Sequence, residues 1–105
     1  MVIVETPLFT RRIREAMSDE AYAVMQTSLV GRPDSGAVIP GGGGLRKIRW
    51  AAEGRGKRGG VRIIYYWAVA QHTILMLFVY PKNVQADLTR EQIKALRTII
   101  EEEYP

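Results

Sequence analysis

The spacing of apolar residues at the start of the chain predicts a short strand followed by a helix. Val2 to Glu5 has the composition of a strand, and Thr6 followed by Pro7 favours the start of a helix. Three apolar residues then recur at every fourth position: Phe9, Ile13 and Met17. This spacing places them on one helical face, which must be buried against another element.

Two further helices are indicated by their capping residues. Ser18 opens the first of them, and Gly31 and Pro33 end it. Its apolar face comprises Tyr22, Met25 and Leu29. Near the other end of the chain, Thr89 and Gln92 have the spacing of a capping box. The helix that follows carries an apolar stripe of Ile93, Leu96 and Ile100.

From Leu45 the apolar period changes to two, which is typical of strands. Residues 45–51, 61–70 and 74–80 are predicted strands, and the last is apolar on both faces, as expected for a central strand. Residues 33–44 are predicted to form a loop. The segment EGRGKRGG, from Glu53 to Gly60, is predicted to be a flexible basic turn.

The predicted order is therefore β-α-α-β-β-β-α, an α+β fold. Short connections make the last three strands an antiparallel meander, and the helices are expected to cover one face of it. The other face is then expected to be partly open. A length of 105 residues suggests a single domain spanning residues 1–105.

Basic residues are concentrated in the stretch from Leu45 to Trp67. Between Arg46 and Arg62 there are seven basic residues and one acid, Glu53, so this segment carries +6 while the whole chain carries +4. A cationic segment on a nearly neutral scaffold indicates a polyanionic partner. The alternative is a solvated basic loop that keeps the protein soluble.

Composition argues against several other classes of function. The chain has no cysteine and one histidine, His72, so no metal or other cofactor is predicted. His72 is expected to be a turn residue and not a catalytic base. No apolar run is long enough for a signal peptide or a membrane span, and we therefore expect a cytoplasmic protein with no membrane partner. The glycines from Gly41 to Gly44 precede a strand, which argues against a nucleotide-binding P-loop.

Three cations are expected to converge on the open face of the sheet. Lys47 and Arg49 lie two residues apart on one strand, and Arg62 lies on the next. Such a group can hold a phosphate and stabilise charge that develops on phosphorus. The alternative is that these are ordinary solvent-facing residues. Lys82 follows the central strand and is a candidate fourth cation, although an ordinary polar strand exit is an equal alternative. Tyr66 shares a face with Arg62 and is a candidate for stacking on a base.

Several segments together resemble the RelE/ParE toxin superfamily, and most closely its HigB-like RelE toxins. They are GGLRKIRW at 43–50, GKRGG at 56–60, RIIYYW at 62–67, YPKN at 80–83, SDEAY at 18–22 and DLT at 87–89. The resemblance extends over nearly the whole chain and implies a compact α/β fold of the order given above. It also implies a type II toxin–antitoxin system, in which a cognate antitoxin, expected to be a small helix-turn-helix protein, neutralises the toxin.

The resemblance implies cleavage of mRNA in the ribosomal A site without a metal, by attack of a 2′-hydroxyl on the adjacent phosphate. The residues that match the family's basic positions are Lys47, Arg49, Arg62 and Lys82. The residues expected to contact RNA or ribosome are Arg46, Arg55, Lys57, Arg58, Tyr66 and Asn83. RelE itself has an arginine and a tyrosine where this chain has Asn83 and Thr89. Lys47 is therefore the candidate proton acceptor, with Tyr66 a weaker candidate.

Two other functions stay open from the sequence. One is inhibition of DNA gyrase without catalysis, as in the ParE branch, although the Lys47–Arg49 pair favours the nuclease. The other is a nucleic-acid-binding module with no toxicity, which would bind RNA in a salt-dependent way.

Overall fold

The computed structural model describes residues 1–51 and 60–105. Its first elements are strand β1 (Val2–Glu5) and helices α1 (Pro7–Ala16) and α2 (Asp19–Gly31). The Thr6 hydroxyl accepts a hydrogen bond from the Phe9 amide, and the Ser18 hydroxyl accepts one from the Ala21 amide. The predicted strand, both helix starts and the end of the second helix are therefore confirmed.

The remaining elements form most of the sheet. They are β2 (Ala37–Val38), β3 (Leu45–Trp50), β4 (Val61–Ala68), a single 3-10 turn (Val69–Gln71), β5 (Thr73–Pro81) and α3 (Arg90–Glu103). The sheet order is β1-β5-β4-β3-β2, in which only β1 and β5 are parallel. The α+β class and the order of the predicted elements are confirmed, and so is the antiparallel β3-β4-β5 meander.

The structure corrects two details of the predicted strands. Within the predicted loop 33–44, Ala37 and Val38 form β2 and pair with Lys47 and Arg46. Strand β4 ends at Ala68, before the predicted Ala70, because the chain turns there through a 3-10 turn. His72 closes that turn in the left-handed region, at φ 52°, as expected for a turn residue. The predicted basic turn lies outside the described residues apart from Gly60.

Helices cover both faces of the sheet, so the expectation that they cover one face is wrong. The residues that pack with α1 and α2 include Val61, Ile63, Tyr65, Ile74 and Met76. Those that pack with α3 on the other face include Leu45, Ile64, Leu75, Leu77 and Tyr80. The face under α3 carries its own buried apolar cluster, and that cluster also needs a covering element. We call these the α1/α2 face and the α3 face.

A β-bulge changes the phase of β5 halfway along its length. Ile64 pairs with Phe78, whereas the next residue, Tyr65, pairs with Met76, so Leu77 is an extra residue between the two pairs. A bulge interrupts the alternation of side chains at that point. As a result Phe78 and Tyr80 belong to the cluster on the α3 face, whereas Met76 belongs to the α1/α2 face.

The described helices include none that is long and apolar enough to cross a membrane.

We expect Phe9→Ala to lower the free energy of unfolding by about 3–5 kcal/mol, because the ring is fully buried and its loss leaves a cavity. The control is Leu8→Ala, since Leu8 is 36% exposed on the same helix. Urea unfolding followed by circular dichroism measures both. Equal losses for the two variants would contradict the assigned core.

Candidate active site

The register of the sheet places two arginines directly opposite each other. Arg49 on β3 pairs with Arg62 on β4, and Arg62 pairs in turn with Tyr80 on β5. Arg49, Arg62 and Tyr80 therefore form one row across the sheet. Lys47 lies two residues before Arg49 and on the same face. Arg62 alternates with the α1/α2-face residues Val61 and Ile63, so all four side chains belong to the α3 face.

The two arginines differ in their access to solvent. Arg62 is 5% exposed, whereas Arg49 is exposed at the surface. Directly opposed like charges destabilise a pair of strands, and a buried cation without a counter-charge is costly. Among the described residues no ion pair is formed by either arginine. A bound anion would therefore reduce the electrostatic repulsion within the row.

Asp87 brings a carboxylate to this group of cations. One of its oxygens lies 2.8 Å from the Lys47 ammonium nitrogen. The Lys47 ammonium, followed by Arg62 and Arg49 at longer range, holds the pKa of Asp87 below its ordinary value. Asp87 is therefore ionised at neutral pH, and its side chain is 75% exposed.

The cap of α3 fixes the backbone beside Asp87. The side-chain amide of Gln85 donates to the Asp87 backbone carbonyl and to the Gln92 side-chain oxygen. The Gln92 side-chain oxygen also accepts from the Thr89 backbone N–H. The Gln92 backbone N–H donates to the Thr89 hydroxyl, which completes the predicted capping box. The start of α3 thus positions Asp87 against Lys47.

Tyr80 brings a buried phenol to the same row. Its side chain is 1% exposed, and its hydroxyl has no hydrogen-bond partner among the described residues. Burial raises the pKa of Tyr80, nearby Asp87 raises it further, and Arg62 opposes the shift. The phenol is a neutral donor beside Arg62 at neutral pH.

Two residues expected to contact RNA lie away from this group. Arg46 is on the α1/α2 face, and its guanidinium donates to the carbonyls of Asp34 and Gly36 at 3.2 and 2.8 Å. Tyr66 shares the α3 face but pairs with Leu45, and its ring packs on Tyr104 with 5.7 Å between centroids. Both side chains therefore have structural contacts.

The Tyr66 ring lies against the glycine-rich turn, where Gly44 leaves space for it. Gly44 has φ +106°, and a Cβ at this position would lie 2.7 Å from the Tyr66 ring. Glycine is the residue that tolerates both conditions.

The other residues singled out in the sequence fall into three groups. Lys82 and Asn83 are exposed in the turn after β5, and the Lys82 amide donates to the Gly60 carbonyl, which places this turn at the Arg62 end of the sheet. His72 lies at the opposite end of β5. Arg55, Lys57 and Arg58 lie outside the described residues.

Sequence reasoning missed Tyr80 and Asp87. Strict alternation along β5 groups Tyr80 with Met76, on the α1/α2 face, and only the bulge at Leu77 moves it. Asp87 is forty positions from Lys47, so their contact depends on the fold of the whole meander. Its one local signal is its place two residues before the Thr89 cap.

The site has the chemistry of an anion-binding centre. Within residues 1–51 and 60–105 no cluster of three or more histidines or carboxylates is placed to hold a metal ion. Lys47 and Arg49 provide charged donors and Asp87 an acceptor, while Arg62 and the Tyr80 phenol lie almost fully buried in the same row. This set can bind a phosphodiester and take up a proton beside it.

We expect Arg49→Gln to raise the free energy of unfolding at low salt by roughly a few tenths of a kcal/mol, because it removes one of two opposed charges. Inorganic sulfate should stabilise the unaltered protein more than the variant, since an anion bound by the row favours the folded state. The control is Arg11→Gln, an exposed arginine on α1. A loss of stability in Arg49→Gln, or equal effects of sulfate on all three proteins, would contradict this account.

Comparison with known families gives one match that spans nearly the whole chain. Residues 1–103 match the family described as the RelE toxin of the RelE/RelB toxin–antitoxin system. Proteins of this family are toxins that pair with an antitoxin, and they are typically ribosome-dependent mRNA endonucleases. The match covers nearly the whole sequence, and the chain therefore belongs to the RelE toxin family.

Proposed function

We propose that this chain is a HigB-like RelE toxin that cleaves mRNA in the ribosomal A site. The observation that carries the proposal is the row of Arg49, Arg62 and Tyr80, with Lys47 on the same face. Two opposed arginines that form no ion pair among the described residues reduce stability, and such an arrangement is expected where a ligand supplies further negative charge. The scissile phosphate of mRNA is that ligand in this proposal.

In the proposed reaction Lys47 and Arg49 hold the phosphate oxygens, and Arg62, which is almost fully buried, adds positive charge beside them. The 2′-hydroxyl oxygen attacks phosphorus, and the bond from phosphorus to the 5′-oxygen breaks. The products are a 2′,3′-cyclic phosphate and a free 5′-hydroxyl. The cations stabilise the charge that grows on the phosphoryl oxygens, and this is usually the largest contribution to such catalysis. Lys82 enters from the turn after β5 as a fourth cation.

The proton of the 2′-hydroxyl passes to the Lys47–Asp87 pair. Lys47 was expected to be the acceptor, but its ammonium already donates to Asp87 at 2.8 Å. The carboxylate is ionised at neutral pH and accepts the proton as the 2′-oxygen attacks, although Lys47 lowers its pKa and so makes it a weaker base. Lys47 keeps its charge for the phosphate. A proton returned to the 5′-oxygen completes the step.

The remaining features of the proposal concern partners and location. The toxin works with the ribosome in the cytoplasm, and Arg55, Lys57 and Arg58 contact ribosomal or messenger backbone. A small helix-turn-helix antitoxin neutralises it by covering the basic face. A neighbouring reading frame for such a protein supports the antitoxin part of the proposal.

We expect Arg49→Ala and Lys47→Ala each to lower the rate of mRNA cleavage by about 10²–10³-fold, the usual cost of removing one donor to transition-state charge. Toe-printing on translated mRNA shows codon-phased cuts for the unaltered protein and for the control Arg11→Ala. Circular dichroism checks that each variant folds. Arg62→Ala is a third test, with Arg62→Met as a companion that fills the buried space.

Three other outcomes decide against the proposal. Codon-phased cuts that persist in the Lys47 and Arg49 variants contradict the site. Double-strand DNA breaks with intact mRNA indicate a gyrase inhibitor, and RNA binding without cleavage or growth arrest indicates a binding module.

Asp87→Asn is expected to change binding and cleavage in opposite directions. Cleavage falls by about 10²–10⁴-fold because the proton acceptor is removed. Affinity for a 2′-O-methyl oligoribonucleotide, which lacks the attacking hydroxyl, rises because the amide no longer competes with phosphate for Lys47. Glu102→Gln on α3 removes the same charge elsewhere and serves as the control. Unchanged cleavage in Asp87→Asn contradicts the acceptor role.

A further inference from the structure

A groove leads from the candidate active site along α3. Its first part is a cleft of about 320 Å³ between β2 and the start of α3, and Lys47 and Asp87 lie at its wall. The second part is a cleft of about 510 Å³ between the Pro40–Gly41 turn and the exposed side of α3. Pro40 and Ile93 line both clefts, so the two adjoin at these residues. We call the whole the α3 groove.

Basic side chains of α3 point toward this groove. Arg90, Lys94 and Arg97 line it together with one acid of the same helix, Glu101, whereas Glu91 and Glu102 do not. Arg90 and Lys94 are four residues apart and thus adjacent on one helical face. Both are exposed, and among the described residues neither makes an ion pair. Arg90 is also the first residue of α3, where the helix dipole adds positive potential to its charge.

Arg97 has a different role from the other two cations. Its guanidinium lies 3.1 Å from Glu101 and donates to the Gly41 carbonyl at 3.3 Å. It joins the helix to the glycine turn and so holds the two walls of the groove together. Glu101 follows at the far end, and Glu102 and Glu103 come after it. The positive part of the groove is therefore centred on Arg90 and Lys94, between the Lys47–Asp87 ion pair at one end and the Arg97–Glu101 ion pair at the other.

We propose that the α3 groove binds the RNA strand that flanks the scissile phosphate, with Arg90 and Lys94 as phosphate contacts. This inference rests on the proposed function. Its support is that the two clefts adjoin at Pro40 and Ile93, and that Lys47 lies at the wall of the first. In addition, Arg90 and Lys94 carry positive charge with no ion pair among the described residues. From Arg90 to Arg97 the helix rises by about 10 Å, at 1.5 Å per residue, so the contacts reach beyond the scissile step.

The test compares Arg90→Gln/Lys94→Gln with Arg11→Gln/Arg14→Gln, which removes the same charge from α1. Binding of a single-stranded 2′-O-methyl oligoribonucleotide is measured against salt. In the α3 variant we expect the magnitude of the slope of log affinity against log salt to fall by roughly 0.7 for each phosphate that the protein no longer neutralises. In the α1 variant the slope should stay unchanged. The effect should appear with a long oligonucleotide and be absent with a dinucleotide, which fills the active site alone.

Cleavage by the same proteins separates this inference from the proposed function. The α3 variant is expected to need more ribosome–mRNA complex for half-maximal cleavage, with the maximal rate retained, because it loses binding common to substrate and transition state. If the unaltered protein cuts mRNA and the α3 and α1 variants behave alike, the groove inference fails alone. If the unaltered protein does not cut mRNA, the proposed function fails. A variant that loses antitoxin binding but keeps RNA binding assigns the groove to the antitoxin and overturns the inference.

Discussion

The opposition of Arg49 and Arg62 across β3 and β4 is the constraint around which the rest of the structure is arranged. Two guanidinium groups in register repel each other, and Arg62 is almost fully buried. A sheet that keeps this pair must obtain its stability elsewhere. It does so from buried side chains on both faces, where α1 and α2 cover one cluster and α3 covers the other.

The position of α3 decides how much of the cationic face stays available. Its buried residues Leu96 and Ile100 lie in the cluster that contains Leu45 and Ile64, whereas Arg49 remains exposed. The helix therefore covers the apolar part of this face and leaves Arg49 accessible at the end of the row. Its capping box also sets Asp87 against Lys47. One helix start thus combines a structural role with the placement of a charged group at the site.

Local rules of the sequence account for much of the fold and for part of the site. Helix starts followed from Thr6, Ser18 and Thr89, because each cap is a contact over three residues. The shared face of Lys47 and Arg49 followed from alternation. The sheet face that α3 covers could not be predicted from the sequence. An apolar stripe shows that a helix packs against another element, but it does not show which face of the sheet that is. Asp87 was missed for a related reason, since its partner is distant in sequence.

The bulge at Leu77 has a consequence for the length of β5. Both Leu77 and Phe78 belong to the same face, so the strand holds one residue more than its pairing with β4 requires. Loss of that residue during evolution leaves the partners of Met76 and Tyr80 unchanged. Gain of one residue is harder to accommodate. It must either add a second irregularity to the β4–β5 pairing or turn Tyr80 away from Arg62. Relatives of this chain are therefore expected to tolerate a shorter β5 more readily than a longer one.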